Sequence, residues 1–303
     1  MKNKGFTLIE LIIVMLVVSI LGAGVVMFMV APMKAYVANT RRTQLVDSAT
    51  VMLQRMTLDL HQALPNSIRV KSSGTLQVVE FVHVTEVVAY RTGPVGINAA
   101  INLDFTQPDT QFDSLGTLNY VPMGVLPSKY QLVIYNLGLY GANTDSPMAG
   151  QNVYGAVSSG PSPPSGSNVV TPVGTSITTV ANGTETQFNL NPAFQFSMQS
   201  PKQLMYIIDT PVSYICDTST GHITRYDTYA LSSIQPITAS SSPLSTANSA
   251  LAAQNVSTCQ FTYTVGTSQQ NAVLSVNLIM TEQGSNTRDT IRLFEQIHVI
   301  NTP

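Results

Sequence analysis

Residues 5–10 read Gly5-Phe6-Thr7-Leu8-Ile9-Glu10, and the apolar run that opens at Phe6 continues to Ala31 with little interruption beyond Thr7, Glu10 and Ser19. A short basic stretch, Met1-Lys2-Asn3-Lys4, precedes it. As a helix, residues 6–31 would extend about 39 Å at ~1.5 Å per residue, enough to cross a hydrocarbon core of ~30 Å with some tilt. The segment can span a membrane.

Two ordinary explanations of such a start fit poorly. A cleaved secretory signal has an apolar stretch of roughly 7–15 residues ending at a small-residue cut site. Here the run is longer, and Gly22-Ala23-Gly24, the nearest small-residue site, is followed by more Val, Met and Phe. A plain membrane anchor leaves Glu10 unexplained. A carboxylate costs on the order of 3 kcal/mol at mid-bilayer and less near the edge, so it is usually paired or functional. No Lys, Arg or His lies within the span to neutralise it, so its partner is expected from outside this helix.

The run Gly5-Phe6-Thr7-Leu8-Ile9-Glu10 resembles the processing motif of type IV prepilins and type II secretion pseudopilins. The resemblance implies that a prepilin peptidase cuts between Gly5 and Phe6 and methylates the new Phe6 amine, which makes Glu10 the fifth mature residue. It implies pairing of Glu10 in one subunit with the Phe6 amine of a neighbour. A buried pair of this kind adds little net stability, but leaving either charge alone is costly, so it can set register. Lys2 and Lys4 flank one end of the span and Lys34, Arg41 and Arg42 the other, so charge gives no clean orientation. The motif implies a cytoplasmic N-terminus, a single pass through the inner membrane and a periplasmic head that later reaches the pilus or cell surface.

Pro32 closes the most apolar stretch and is expected to kink the helix rather than stop it. Beyond it Leu45, Ala49, Met52, Leu53, Met56, Leu60, Ala63 and Leu64 recur at steps of three and four, with Arg42, Gln44, Asp47, Gln54, Arg55 and Asp59 between them. That spacing predicts an amphipathic helix with one face needing cover. Pro65-Asn66 ends it near Leu64. The expected organisation is a leader at 1–5, an assembly helix at 6–31, an amphipathic helix at 32–64 and a β-rich head at 65–303. This is an α+β, type IV pilin-like fold.

After Ile68 short β-branched runs alternate with turn formers. Strands are expected at Thr75–Val82, Glu86–Tyr90, Gln131–Tyr135, Ile177–Val180, Gln187–Leu190, Leu204–Asp209, Val212–Cys216, His222–Arg225, Gln260–Val265, Val273–Met280 and Thr290–Ile300. Asn182-Gly183 reads as a tight hairpin turn, and Thr218–Gly221 as another turn. Gly141–Gly174 and Ala239–Ser249, dense in Gly, Ser, Pro, Thr and Ala, read as loops without core periodicity.

Charged residues make up 10% of the chain and the net charge is −2, against about 25% charged in an ordinary soluble domain. No basic stripe suited to nucleic acid is visible. The four histidines, His61, His83, His222 and His298, are scattered, and no HExxH, nucleophile elbow or Walker loop occurs, so no enzyme and no cofactor is expected. Asp104, Asp109 and Asp113 lie close in sequence but off calcium-loop spacing. Cys216 and Cys259 are the two cysteines. In an exported head they most simply form one disulfide, two buried free thiols being the alternative.

Within the family, the length suggests a minor subunit. Leu64-Pro65-Asn66-Ser67-Ile68-Arg69-Val70 is similar to minor pilins of the MshO type, from the mannose-sensitive haemagglutinin (MSHA) pilus system. Val212-Ser213-Tyr214-Ile215-Cys216-Asp217 and Gly221-His222-Ile223-Thr224-Arg225-Tyr226 resemble the same group and PilW-like subunits. The resemblance implies a part in pilus initiation or at the tip, with prepilin peptidase, other major and minor pilins, the inner-membrane assembly platform and membrane lipid as partners. The rival readings are a type II secretion pseudopilin of the J type and a pilus-tip adhesin or binding subunit.

Overall fold

The computed structural model describes residues 5–93, 101–141, 146–158, 168–266, 270–283 and 288–300. The leader residues Met1–Lys4, and parts of the expected 141–174 loop, lie outside them. Helix α1 runs Leu8–His61 without a break through Pro32. Gly5 and Phe6 precede the helix outside any regular element, Thr7 at the N-cap is extended, and the Thr7 carbonyl accepts the backbone N–H of Glu10 and Leu11. At ~1.5 Å per residue the helix is about 80 Å long.

The end comes three residues before the expected Leu64. Gln62 caps the helix, and the next residues are drawn into β-type bonds: Leu64 N–H donates to the Val82 carbonyl and Val84 N–H to the Gln62 carbonyl. Pro65, with no N–H to give, makes the exit permanent.

The strands are β1 (Arg69–Ser73), β2 (Leu76–Tyr90), β3 (Asp109–Leu115), β4 (Gly124–Val125), β5 (Gln131–Ile134), β6 (Ser176–Asn182), β7 (Glu185–Phe194), β8 (Leu204–Asp217), β9 (His222–Asp227), β10 (Asn248–Ala253), β11 (Val256–Thr264), β12 (Ala272–Gln283) and β13 (Arg288–Val299). Among the described residues the first ten form one antiparallel sheet, in the order β10-β9-β8-β2-β3-β7-β6-β4. β1 also pairs with β2, and β5 with β8. The last three form a separate sheet, β11-β12-β13.

The sequence reading split β2 and β8 each in two, and the structure joins them. Both expected breaks fall at one place, where Val82 faces Pro211 and the register slips twice between Val82 and Glu86. Pro211 cannot donate to the ladder, so the strands bulge there instead of ending. The β6–β7 hairpin turns at Gly183 and Thr184, one residue later than expected, with Gly183 taking the positive φ of +66°. Strands β1, β3, β4 and β10 were not anticipated; they are short and carry few β-branched residues.

The second half of α1 lies in a core shared by both sheets. Leu45, Ala49, Met52, Met56 and Leu60 pack with Val79 and Phe81 of β2, Val212 and Tyr214 of β8, and inward residues of β11, β12 and β13. Cys216 of β8 and Cys259 of β11 form a disulfide within that core, tying one sheet to the other. The two loop segments contribute more than expected. Leu244, in a short 3-10 turn at Leu244–Thr246, covers the other face of β2 and β8 with Tyr229. Val153, Tyr154, Val169 and Val170 are fully buried.

Candidate assembly helix and its anchorage

The two halves of α1 differ in what covers them. Large apolar side chains from Phe6 to Met33 are all exposed, Phe6 at 77% and Phe28 at 84%. Among the described residues α1 is the one helix long and apolar enough to cross a membrane, and none of its most apolar stretch is buried by the head. Glu10 sits in the first turn, exposed, with no ion-pair partner among the described residues. Gly5 has open space where a Cβ would stand, so packing within this chain does not require glycine there.

From Leu45 onward the buried positions follow a four-three alternation: Leu45, Ala49, Met52, Met56, Asp59, Ala63. The fifth member is a carboxylate, read in the sequence as one of the polar residues lying off the apolar stripe. It is 5% exposed. Its Oδ2 accepts hydrogen bonds from Arg225 Nε at 2.6 Å and Tyr214 Oη at 2.8 Å, and Arg55 Nε lies 3.2 Å from Oδ1. Arg225 also pairs with Asp227. Burial raises the Tyr214 hydroxyl's pKa, and the Asp59 charge raises it further, so the phenol stays a donor. A second tie lies higher on the helix, where Arg42 Nε donates to Asp289 Oδ1 of β13 at 3.2 Å and Arg41 stands 4.0 Å from Oδ2. Helix and head are therefore joined by charge as well as by apolar contact.

Two other carboxylates, both within the head, predict an acid limit. Burial alone would raise the Asp227 carboxyl, but hydrogen bonds from Thr228 and Arg225 and the Arg225 charge hold it below the usual carboxylate range. Asp209, opposed by burial and favoured by His83 and Lys129, is likewise lowered. A depressed carboxylate contributes stability that is present above its unfolded pKa of about 3.9 and is lost as pH falls through the folded value. Protease resistance of the head should be flat from pH 7 to 5 and fall below about pH 4.

Deeper in the head, Arg69 and Glu80 face each other across the β1–β2 ladder and are almost fully buried. Arg69 Nε donates to Glu80 Oε2 at 2.7 Å. Its Nη1 and Nη2 donate to the Ser233 and Ser232 carbonyls, each at 2.8 Å. The guanidinium lies 3.7 Å from the centre of the Tyr154 ring. Tyr229 Oη donates to Glu80 Oε1 and meets Ser213 Oγ at 2.6 Å. Burial pushes the Glu80 pKa up and the Arg69 charge pulls against it, so this carboxylate depends on its partner. The set is fully partnered and buried, as a structural ion pair requires.

Asp104, Asp109 and Asp113 do not converge. Asp104 is used by Thr106 and Gln107, Asp109 by the Asp104 and Gln111 N–H groups, and Asp113 by Ile101 N–H and Asn182. Among the described residues no three acidic, His or Cys side chains come together as a metal site.

Of the residues singled out by sequence, Gly5, Phe6 and Glu10 stand together at the bare end of α1, far in sequence from the Cys216–Cys259 staple in the head. Asp59, Arg225, Tyr214, Arg69 and Glu80 were missed as a group. Asp59 was legible, since it falls on the four-three stripe. Glu80 interrupts the apolar run Val78-Val79-Glu80-Phe81-Val82, which is also a signal.

Comparison with curated proteins and with solved structures gives no significant match. Residues 1–26 match the family described as the prokaryotic N-terminal methylation motif. The chain thus carries the methylation motif typical of type IV prepilin-like proteins, on a pilin-like arrangement of long helix and antiparallel sheets, and the motif marks it as a structural subunit processed by prepilin peptidase.

Proposed function

We propose that the chain is a minor subunit of an MSHA-like type IV pilus, acting in its initiation or at its tip. The observation that carries this reading is the methylation motif placed directly on a bare apolar helix whose far half is locked to a head. Cleavage falls between Gly5 and Phe6, which precede the helix and are exposed, open to a peptidase. The new Phe6 amine of one subunit meets Glu10 of its neighbour as the apolar helices pack, and the pair sets their register. Pulling on the helix moves the head with it through Asp59–Arg225 and Arg42–Asp289. Other pilins, the assembly platform and lipid contact the helix; the head meets other minor subunits.

Glu10→Ala tests the register step. The variant should be inserted and cut normally, yet its amount in sheared pili should drop at least about tenfold, since an unpaired buried amine is costly. Normal incorporation of Glu10→Ala would remove the step.

A further inference from the structure

Strand β13 has one hydrogen-bonded neighbour, β12, and its outer edge pairs with nothing among the described residues. Toward its C-terminal end its inward residues are well covered, with Ile297 and Val299 buried in the core, but Ile291 and Leu293 are only half-buried and Glu295 is exposed. Strand β13 packs along the second half of α1. Between them lies a trough of about 590 Å³ lined by Thr50, Leu53, Gln54 and Leu58 of the helix and Leu293 and Glu295 of the strand. Leu58 is 66% exposed, and Phe294, on the opposite face of β13, is 63% exposed.

An unpaired edge beside an apolar trough suits an added strand, with the ladder giving affinity and the trough selecting alternate side chains. Glu295 decides which strand. It points inward on an edge, the device that blocks indiscriminate pairing, and it has no ion pair among the described residues. Antiparallel pairing of β13 with a second copy would set Glu295 against Ile291, Leu293 or another Glu295. It would also reverse α1, although copies anchored by the same N-terminal segment point one way. Parallel pairing would offer the trough Arg292, Phe294 and Gln296, of which one is apolar.

We propose that the outer edge of β13 and the trough beside it receive an extended strand from a different prepilin-like subunit. That strand carries apolar residues at alternate positions and a Lys or Arg opposite Glu295. The proposal rests on the chain being one subunit among several in a membrane-anchored assembly.

The test places a benzoylphenylalanine crosslinker at Phe294 or at Leu58 in the full chain, in cells making the complete pilus system, with Leu251 on β10 as control. Expected adducts join both positions to one strand of another subunit bearing the methylation motif. Glu295→Arg should lower their yield about tenfold without changing protein level. Adducts to a second copy, or none above the Leu251 level, would overturn the proposal. N-terminal sequencing of the same samples keeps the two ideas apart: a retained Met1 defeats the pilin reading, whereas a Phe6 start without adducts defeats this surface alone.

Discussion

Arg69→Met should destabilise the head by roughly 3–5 kcal/mol, because Glu80 is left buried with no opposing charge. Arg69 satisfies more than Glu80, since it also holds the Ser232 and Ser233 carbonyls and lies over the Tyr154 ring. In a domain of this size the loss corresponds to about 6–20 °C of Tm. Thermal proteolysis of the detergent-solubilised chain reads it. Adding Glu80→Leu to Arg69→Met removes the stranded charge and should recover part of the loss. The recovery stays partial because Tyr229 and the two serine carbonyls still want partners. If Arg69→Met alone melts within a degree or two of the parent, the buried pair is not what holds β1, β2 and the 229–233 segment together.

Reduction of Cys216–Cys259, or Cys216→Ser with Cys259→Ser, is the next largest effect. The bond closes a sequence separation of 43 residues, for which the chain-entropy account gives about 4 kcal/mol. It also joins β8 to β11 at the point where α1 packs on both sheets, so its removal should loosen the three-stranded sheet first. Hydrogen exchange should rise over β11–β13 before it rises over β2 and β8. Equal protection of both sheets in the reduced chain would count against that division of labour.

Much of this architecture can be read from local pattern. A 3.6-residue period over 45–64 is enough to foresee a helix with one buried face, and the Gly5–Glu10 run is enough to foresee the methylation motif that residues 1–26 match. The long strands β2 and β8 were harder. Pro211 reads as a breaker in β8 and the polar His83 and Thr85 interrupt the apolar run of β2, and only their mutual register shows that both breaks are one bulge. Leu244 and Tyr154 sit in Ser- and Gly-rich surroundings, so single large residues were outweighed by their neighbours, although each closes a core cluster. The ion pairs escaped for another reason. Asp59 and Arg225 are 166 positions apart, and no periodicity links residues at such a distance.

The central claim concerns the first six residues, and intact mass with N-terminal sequencing of the protein made with and without prepilin peptidase tests it most directly. The account predicts peptidase-dependent loss of residues 1–5 and a mature chain that begins at a methylated Phe6. A chain that keeps Met1 in the presence of the peptidase, or one cut near Ala23, would contradict it.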